Sequence, residues 1–146
     1  MIDTNLFVRG LLRGPVTLPL IQAWKERRFR LVSSEALLEE LFDVLARPRF
    51  TRYFTRAEVR ELGQLIYSRA EIVEPRQRLL LCRDPKDNVF LEVAATAGAD
   101  YLVTGDDDLR DDTALKDQML SDYGVRIVSV PDFLAALTAA ERQQQV

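Results

Sequence analysis

The sequence predicts an α/β fold of three layers, in which helices cover both faces of a central, mainly parallel sheet. Short apolar runs alternate along the chain with longer segments of helical pattern, which is typical of parallel strands joined by right-handed crossovers. The 146 residues also suffice for one hydrophobic core and contain no linker or repeat. We therefore predict a single domain over residues 1–142 and a short frayed tail over residues 143–146.

Four apolar runs are predicted to be strands because they are short and rich in β-branched or aromatic residues. In chain order they are FRLVS (29–33), EIVEP (71–75), DYLVT (100–104) and VRIVSV (125–130). Only Met1 and Ile2 precede Asp3, so either the first strand is unusually short or the start of the sequence is set wrongly.

Five segments are predicted to be helices: PLIQAWKERR (19–28), SSEALLEELFDVLA (33–46), TRAEVRELGQLIYSRA (55–70), DPKDNVFLEVAATAGA (84–99) and PDFLAALTAAE (131–141). Ser34 is a candidate N-cap, and Asp84 followed by Pro85 is a favourable helix start. Gly98 is expected to end its helix, and Pro131 to lie in the first turn of the last one.

The composition excludes several kinds of site. The chain has no histidine and one cysteine, Cys82, which rules out His-based triads, His-ligated zinc, CxxC metal sites and an internal disulfide. Carboxylates without imidazole or thiol partners suit hard cations such as Mg²⁺ or Mn²⁺. No apolar stretch is long enough to span a bilayer and no signal peptide is evident, so we expect a cytoplasmic protein without a membrane partner.

Charge is distributed unevenly along the chain. Residues 1–78 hold 14 Lys+Arg against 10 Asp+Glu, whereas residues 79–146 hold 6 against 13. The arginines cluster in KERRFR and ARPRFTRYFTR. Two interpretations stay open: a solvated surface, or a basic rim beside an acidic pocket that holds a polyanionic substrate by its phosphates.

Acidic residues recur where the predicted strands end, which is where sites form in open parallel sheets. Asp3 follows the first short strand, and Asp106 follows YLVTG. At 100° per residue, Glu40 lies on the flank of the apolar stripe of its helix, whereas Glu39 and Asp43 point away from it. Glu40 can therefore lean over a pocket, although a solvated flank position is the alternative.

The acids of RDPKDN and TGDDDL each have a purely structural alternative. Asp84 is expected to be an N-cap whatever else it does, and Asp87 could bond back to the start of its helix. Asp87 nevertheless lies on the flank of an apolar stripe and can face a pocket. Asp107 and Asp108 are candidates for capping the segment that follows Asp106.

These motifs resemble the PIN domain, the fold of VapC-type toxins in bacterial toxin–antitoxin pairs. The resemblance covers nearly the whole chain, through DTNLFVRGLL, SSEALLEELFDVLARPRF, RDPKDNVFLEVAATAGADYLVTGDDDL and RIVSVPDFLAAL. It implies a PIN-like fold, RNA cleavage with Mg²⁺ or Mn²⁺, a protein antitoxin and a homodimer. Phe50, Tyr53 and Phe54 beside arginines are candidates for the dimer interface.

The resemblance also implies particular site residues. It places the catalytic, metal-binding acids at Asp3, Glu40, Asp87 and Asp106, and supporting residues at Asn5, Asp84, Thr104 and Asp108. Two alternatives remain. One is a catalytically weak or inactive PIN-like module that binds RNA or a protein; the other is a small-molecule phosphatase, which DTN disfavours because it lacks the second acid of a DxD loop.

Overall fold

A computed structural model describes residues 1–12, 14 and 17–145, and its helices and strands agree with the predicted α/β class. The strands are β1 (Val32–Ser33), β2 (Glu71–Ile72), β3 (Tyr101–Val103) and β4 (Arg126–Val128). The helices are α1 (Thr4–Leu11), α2 (Leu18–Lys25), α3 (Glu35–Leu45), α4 (Pro48–Thr51), α5 (Arg56–Arg69), α6 (Asn88–Ala97), α7 (Asp107–Arg110), α8 (Thr113–Tyr123) and α9 (Val130–Gln144). A 3₁₀ turn, Pro85–Asp87, precedes α6 directly.

The strand pairs in the described residues are parallel, as predicted. Strand β1 pairs with β2, and β3 pairs with β4 with Leu102 opposite Ile127. Ile2 forms one parallel bridge to Val103, which is all that the first strand contributes. The strands are shorter than the predicted runs because caps follow them closely: Ser34 caps α3 and Ser129 caps α9.

The strands separate the core into two clusters, which gives the three layers. Neighbouring residues of a strand point to opposite faces, and Leu102 and Val103 accordingly belong to different clusters. The first cluster includes buried residues of α1, α2, α3 and α9, among them Trp24. The second includes buried residues of α6 and α8, among them Leu91 and Met119.

Several predicted helix boundaries are confirmed. Ser34 Oγ accepts from the Leu37 N–H at 3.2 Å, and Gly98 ends α6 in the left-handed conformation with φ +63°. Pro131 lies in the first turn of α9. Helices α1 and α8 were not predicted from the sequence.

Gly10 allows α1 to pack closely on α2. It is buried, and a Cβ atom at this position would collide with the Ile21 side chain and lie 3.2 Å from the Thr17 carbonyl oxygen. Glycine is therefore required here for close helix packing. Its conformational freedom is not the reason, because its backbone is in an ordinary helical conformation.

Helix α9 runs through Gln144, so residues 143 and 144 of the predicted tail are helical, and Val146 lies outside the described residues. The domain boundary at residue 142 stays a prediction. In the described part of the chain, no helix is both long enough and apolar enough to cross a membrane.

Candidate active site

The bridge beside β3 places Asp3 next to Thr104. The Asp3 N–H donates to the Val103 carbonyl at 3.0 Å, and the Val103 N–H donates to the Met1 carbonyl at 2.9 Å. The short start of the chain therefore runs parallel to β3, and the residues that follow both segments emerge at the same edge. Asp3 is almost fully buried there, at 4% exposure.

Thr104 connects two of the predicted site acids. Its hydroxyl donates to Asp3 Oδ2 at 2.9 Å and accepts from the Asp106 N–H at 3.0 Å. Thr104 is itself completely buried and its bond to Asp3 is shielded from water, whereas the bond from the Asp106 N–H is only partly buried. The supporting role predicted for Thr104 has a clear geometric basis, because one hydroxyl group orients Asp3 and fixes the backbone of Asp106.

Asp106 is the N-cap of α7, and its Oδ1 accepts from the Asp108 N–H at 2.9 Å. The expectation that Asp107 or Asp108 caps this segment is therefore wrong. Both lie inside the first turn, where Asp107 pairs with Arg110 and Asp108 lies 3.6 Å from Arg83 Nη1. The cap falls on Asp106 because the backbone leaves β3 in an extended conformation that continues through this residue.

Asp87 lies near the same region and belongs to the segment that leads into α6. It is half-buried between the 3₁₀ turn and α6. The pKa of its carboxyl is raised from 3.8 to about 6, mainly by burial and then by the neighbouring carboxyl groups of Asp106, Asp84 and Asp3, in that order. The structure thus brings Asp3, Asp87 and Asp106 together.

Burial dominates the electrostatics of Asp3 as well. Desolvation raises the pKa of its carboxyl, and the Asp106 charge adds to this rise. The Asn5 N–H at 2.9 Å, the Thr104 hydroxyl and the Arg9 charge oppose it. The rise in the pKa of Asp3 therefore reflects burial first and the neighbouring Asp106 charge only to a smaller extent.

Glu40 is exposed on α3, as are Glu39 and Asp43. It is not among the groups that shift the pKa of Asp3 or Asp87 most. The structure does not bring Glu40 into contact with the other three acids, and its place in the site stays a prediction. Its helix does pack against α1, which begins directly after Asp3.

The other residues predicted to have supporting roles form local hydrogen bonds, and those roles stay predictions. Asn5 is exposed, and its N–H bonds to Asp3. Asp108 contributes its N–H to Asp106 in the same way. Asp84 caps the 3₁₀ turn through a 3.0 Å bond from the Lys86 N–H, which confirms the predicted cap.

Three residues near the site were missed by the sequence analysis. Asn88 is buried, and its Oδ1 accepts from the N–H groups of Leu81 and Cys82 at 3.1 and 2.9 Å. It anchors the segment that leads into Asp84. Arg9 and Arg110 line a cleft of about 470 Å³ together with Thr104. In the sequence, Asn88 stands out as an amide within the apolar stripe of a helix, whereas no feature of the sequence distinguishes Arg9 or Arg110.

The side chains at the candidate site are of a type that binds hard divalent cations. The groups at the site are carboxylate oxygens, and burial raises the pKa of the Cys82 thiol to about 12, so it is no thiolate ligand at neutral pH. Yet in residues 1–12, 14 and 17–145 no group of three or more His, Cys, Asp or Glu side chains is placed so that it could hold a metal ion. Acids that surround a cation here would therefore have to reach it partly through water, as is common for Mg²⁺.

Comparison with known proteins identifies the family. The family model described as PIN domain matches residues 1–108 of the 146-residue chain. The chain belongs to the PIN domain family. PIN domains are generally metal-dependent nucleases and typically use divalent ions. The acids that meet beyond β3 are thus the natural candidates for the site of this PIN domain.

One curated relative adds support for the family but not for an activity. A protein of Methanocaldococcus jannaschii, itself uncharacterized, is 28% identical to this PIN domain over 112 residues, which are 75% of the chain and 71% of the relative. No solved structure matches the chain.

Proposed function

We propose that this PIN domain is a metal-dependent endoribonuclease and the toxin of a VapC-like toxin–antitoxin pair. In this proposal Mg²⁺ or Mn²⁺ is held by four acids, with Asn5, Asp84, Thr104 and Asp108 in supporting roles; the four are Asp3, Glu40, Asp87 and Asp106. The observation that carries the proposal is the convergence of Asp3, Asp87 and Asp106, which lie far apart in sequence, at one edge of the sheet.

The convergence is unfavourable without a cation. Carboxylates that share a small region repel one another, and the pKa of Asp87 rises to about 6 as a result of burial and this repulsion. A bound divalent ion reverses the effect because it favours the ionised form of its ligands. When bound, such an ion activates water and stabilises the leaving oxygen of a phosphodiester.

The protein's own contribution is to hold its acids in position. Thr104 orients Asp3 through the bond to Oδ2, and the cap of α7 fixes Asp106 through Oδ1. Asp3 therefore has both oxygens engaged, by the Asn5 N–H and the Thr104 hydroxyl, and Asp106 has Oδ1 engaged by the Asp108 N–H. Rotation of either side chain would break these bonds, so both are oriented before any ligand binds.

RNA cleavage tests the proposal. Purified protein should cut a mixed pool of single-stranded RNA with Mg²⁺ or Mn²⁺ and lose the activity in EDTA. Asp106→Asn should abolish cleavage while the protein stays folded, because Asn is as good an N-cap as Asp. Asp117→Asn on exposed α8 is the matched control and should cut normally. Cleavage at the wild-type rate by Asp106→Asn would refute the proposed site.

A catalytically weak or inactive module that binds RNA or a protein is the second candidate. It is favoured by one observation, the absence within the described residues of three ligating side chains placed for a metal. The cleavage experiment separates the two: RNA binding without cleavage in any divalent metal would support the module.

The assembly belongs to the same proposal: a homodimer in the cytoplasm, with a protein antitoxin as partner. Of the three aromatic residues expected at the interface, Phe50 is buried in the core and Phe54 is half-buried, so only Tyr53, at 57% exposure, is free to contact a second copy. Arg52 lies over the Tyr53 ring at 5.8 Å. Light scattering at micromolar concentration should show a dimer, and a monomer would argue against it.

A further inference from the structure

We infer that the cleft lined by Arg9 and Arg110 is a phosphate-binding subsite for the RNA nucleotide that adjoins the cleaved bond. This inference rests on the proposed nuclease function. It goes beyond that function because it names the residues that hold the strand beside the acids. The cleft is about 470 Å³, which lies within the range of about 300–1,000 Å³ typical of ligand pockets.

The cleft opens directly beside the acids. Thr104 and Gly105 form part of its wall, and the Thr104 hydroxyl is the one that bonds to Asp3. The next residue along the chain is Asp106. A ligand in the cleft would therefore lie within one or two residues of both acids, which is where the neighbouring nucleotide of a substrate strand must pass.

Arg9 lines the cleft, and its charge acts on Asp3. Its Nη1 would be 3.4 Å from a Cβ atom on Gly105, so the guanidinium lies beside this glycine. Arg9 is exposed, and within the described residues it forms no ion pair of its own. Its donors therefore face solvent at the mouth of the cleft, where a phosphate could accept from them.

Arg110 contributes the second cation. Its Nη2 bonds to Asp107, but its Nε is buried and has no hydrogen-bond partner among the described residues. Because Nε is closed to solvent, a ligand in the cleft can contact only the parts of the Arg110 side chain that line it, and the positive charge of the guanidinium would attract a phosphate there.

A subsite of this kind also solves an electrostatic problem. The acids beyond β3 repel the phosphates of RNA, so a strand needs cations on both sides of the cleaved bond to lie against them. The apolar part of the cleft, formed by Leu6, Val130 and Pro131, leaves room for a sugar and base. The competing explanation is that the arginines only balance the charge of the acids.

RNA binding in EDTA separates these explanations, because it requires no cleavage. The probe is a fluorescent single-stranded RNA of ten nucleotides, and its anisotropy gives the affinity at several salt concentrations. Arg9→Gln combined with Arg110→Gln should weaken binding at least tenfold and reduce the slope of log K against log salt by about 1.4, since each phosphate contact contributes about 0.7.

The matched control is Arg60→Gln combined with Arg142→Gln, which removes the same charge from exposed positions on α5 and α9. It should leave the slope within error of the wild type. Should the double variant at the cleft fail to fold, Arg9→Gln alone tests the exposed cation, with an expected slope change of about 0.7.

The outcomes distinguish this subsite from the nuclease function. If the wild type cuts RNA but the cleft variant binds RNA as the control variant does, the subsite is overturned and the nuclease function stands. If the wild type cuts no RNA with any divalent metal, the nuclease function fails. In that case, a smaller slope of log K against log salt in the cleft variant than in the control variant would still establish the phosphate contacts. Equal slopes in the two variants would overturn them.

Discussion

Thr104→Val removes the single hydroxyl group that connects two of the proposed site acids while it keeps the shape of the side chain. In the wild type this hydroxyl donates to Asp3 Oδ2 at 2.9 Å and accepts from the Asp106 N–H at 3.0 Å. The residue is completely buried, so water cannot replace its bond to Asp3. We expect both a loss of stability and a loss of site geometry.

The size of the loss follows from the two bonds. A hydrogen bond to a charged group is worth about 1.5–3 kcal/mol, and leaving a buried donor unpaired costs about 1–3 kcal/mol. Because the Asp106 N–H is only partly buried, we expect Thr104→Val to lower the free energy of unfolding by roughly 2–4 kcal/mol at pH 7. Thr104→Ser keeps the hydroxyl and should lose about 1 kcal/mol, the worth of one methyl group.

Urea denaturation in EDTA is the assay, at pH 7 and at lower pH. Burial raises the folded-state pKa of Asp3 above its ordinary value of 3.8, and Thr104→Val should raise it further because a donor to the ionised form is lost. The deficit of Thr104→Val should therefore shrink as the pH falls through the folded pKa of Asp3. Equal stability of Thr104→Val and Thr104→Ser at pH 7 would refute the reasoning.

Three further predictions concern charge, packing and the fourth acid. In urea denaturation, the free energy of unfolding of the metal-free protein should fall as the pH rises from about 4 to 7. The reason is that the folded-state pKa of Asp87, about 6, exceeds its ordinary value of 3.8, so the folded state binds more protons than the unfolded state between these values. Gly10→Ala should cost about 1–3 kcal/mol in thermal melts because of overpacking against α2, whereas Gly63→Ala, with 3.4 Å of space, should stabilise α5 slightly. Glu40→Gln should slow RNA cleavage at least tenfold relative to Glu39→Gln; equal rates would remove Glu40 from the site.

The fold class was predictable because it depends on the order of strand-like and helix-like segments. It does not depend on the residue at which each segment begins or ends. Parallel pairing and helix caps such as Ser34 and Gly98 followed from local chemistry. The lengths of the strands did not; after β1 and β4, for example, Ser34 and Ser129 follow at once and cap the next helix. Helix α8 was missed because few of its residues are buried, chiefly Leu115 and Met119, so the chain shows no clear apolar stripe there.

The acids of the candidate site were partly predictable from the order of strands and helices. Asp3 and Asp106 follow strand residues, and parallel strands bring such positions together. The sequence could not show that Asp106 is both a cap and a neighbour of Asp87, since that depends on how the backbone leaves β3. It also could not show that the cations of the cleft are Arg9 and Arg110 rather than the arginine clusters that stand out in the sequence.

The central claim is that the acids beyond β3 hold a divalent cation, and melting with and without Mn²⁺ tests it most directly. At 100 times the dissociation constant, binding to the folded state adds about 2.7 kcal/mol, or roughly 5–10 °C in Tm for a domain of this size. We predict such a rise for the wild type and for Asp117→Asn, and a much smaller one for Asp106→Asn, whose metal-free Tm should equal or exceed that of the wild type. An equal rise in all three proteins, or no rise in the wild type, would contradict the account.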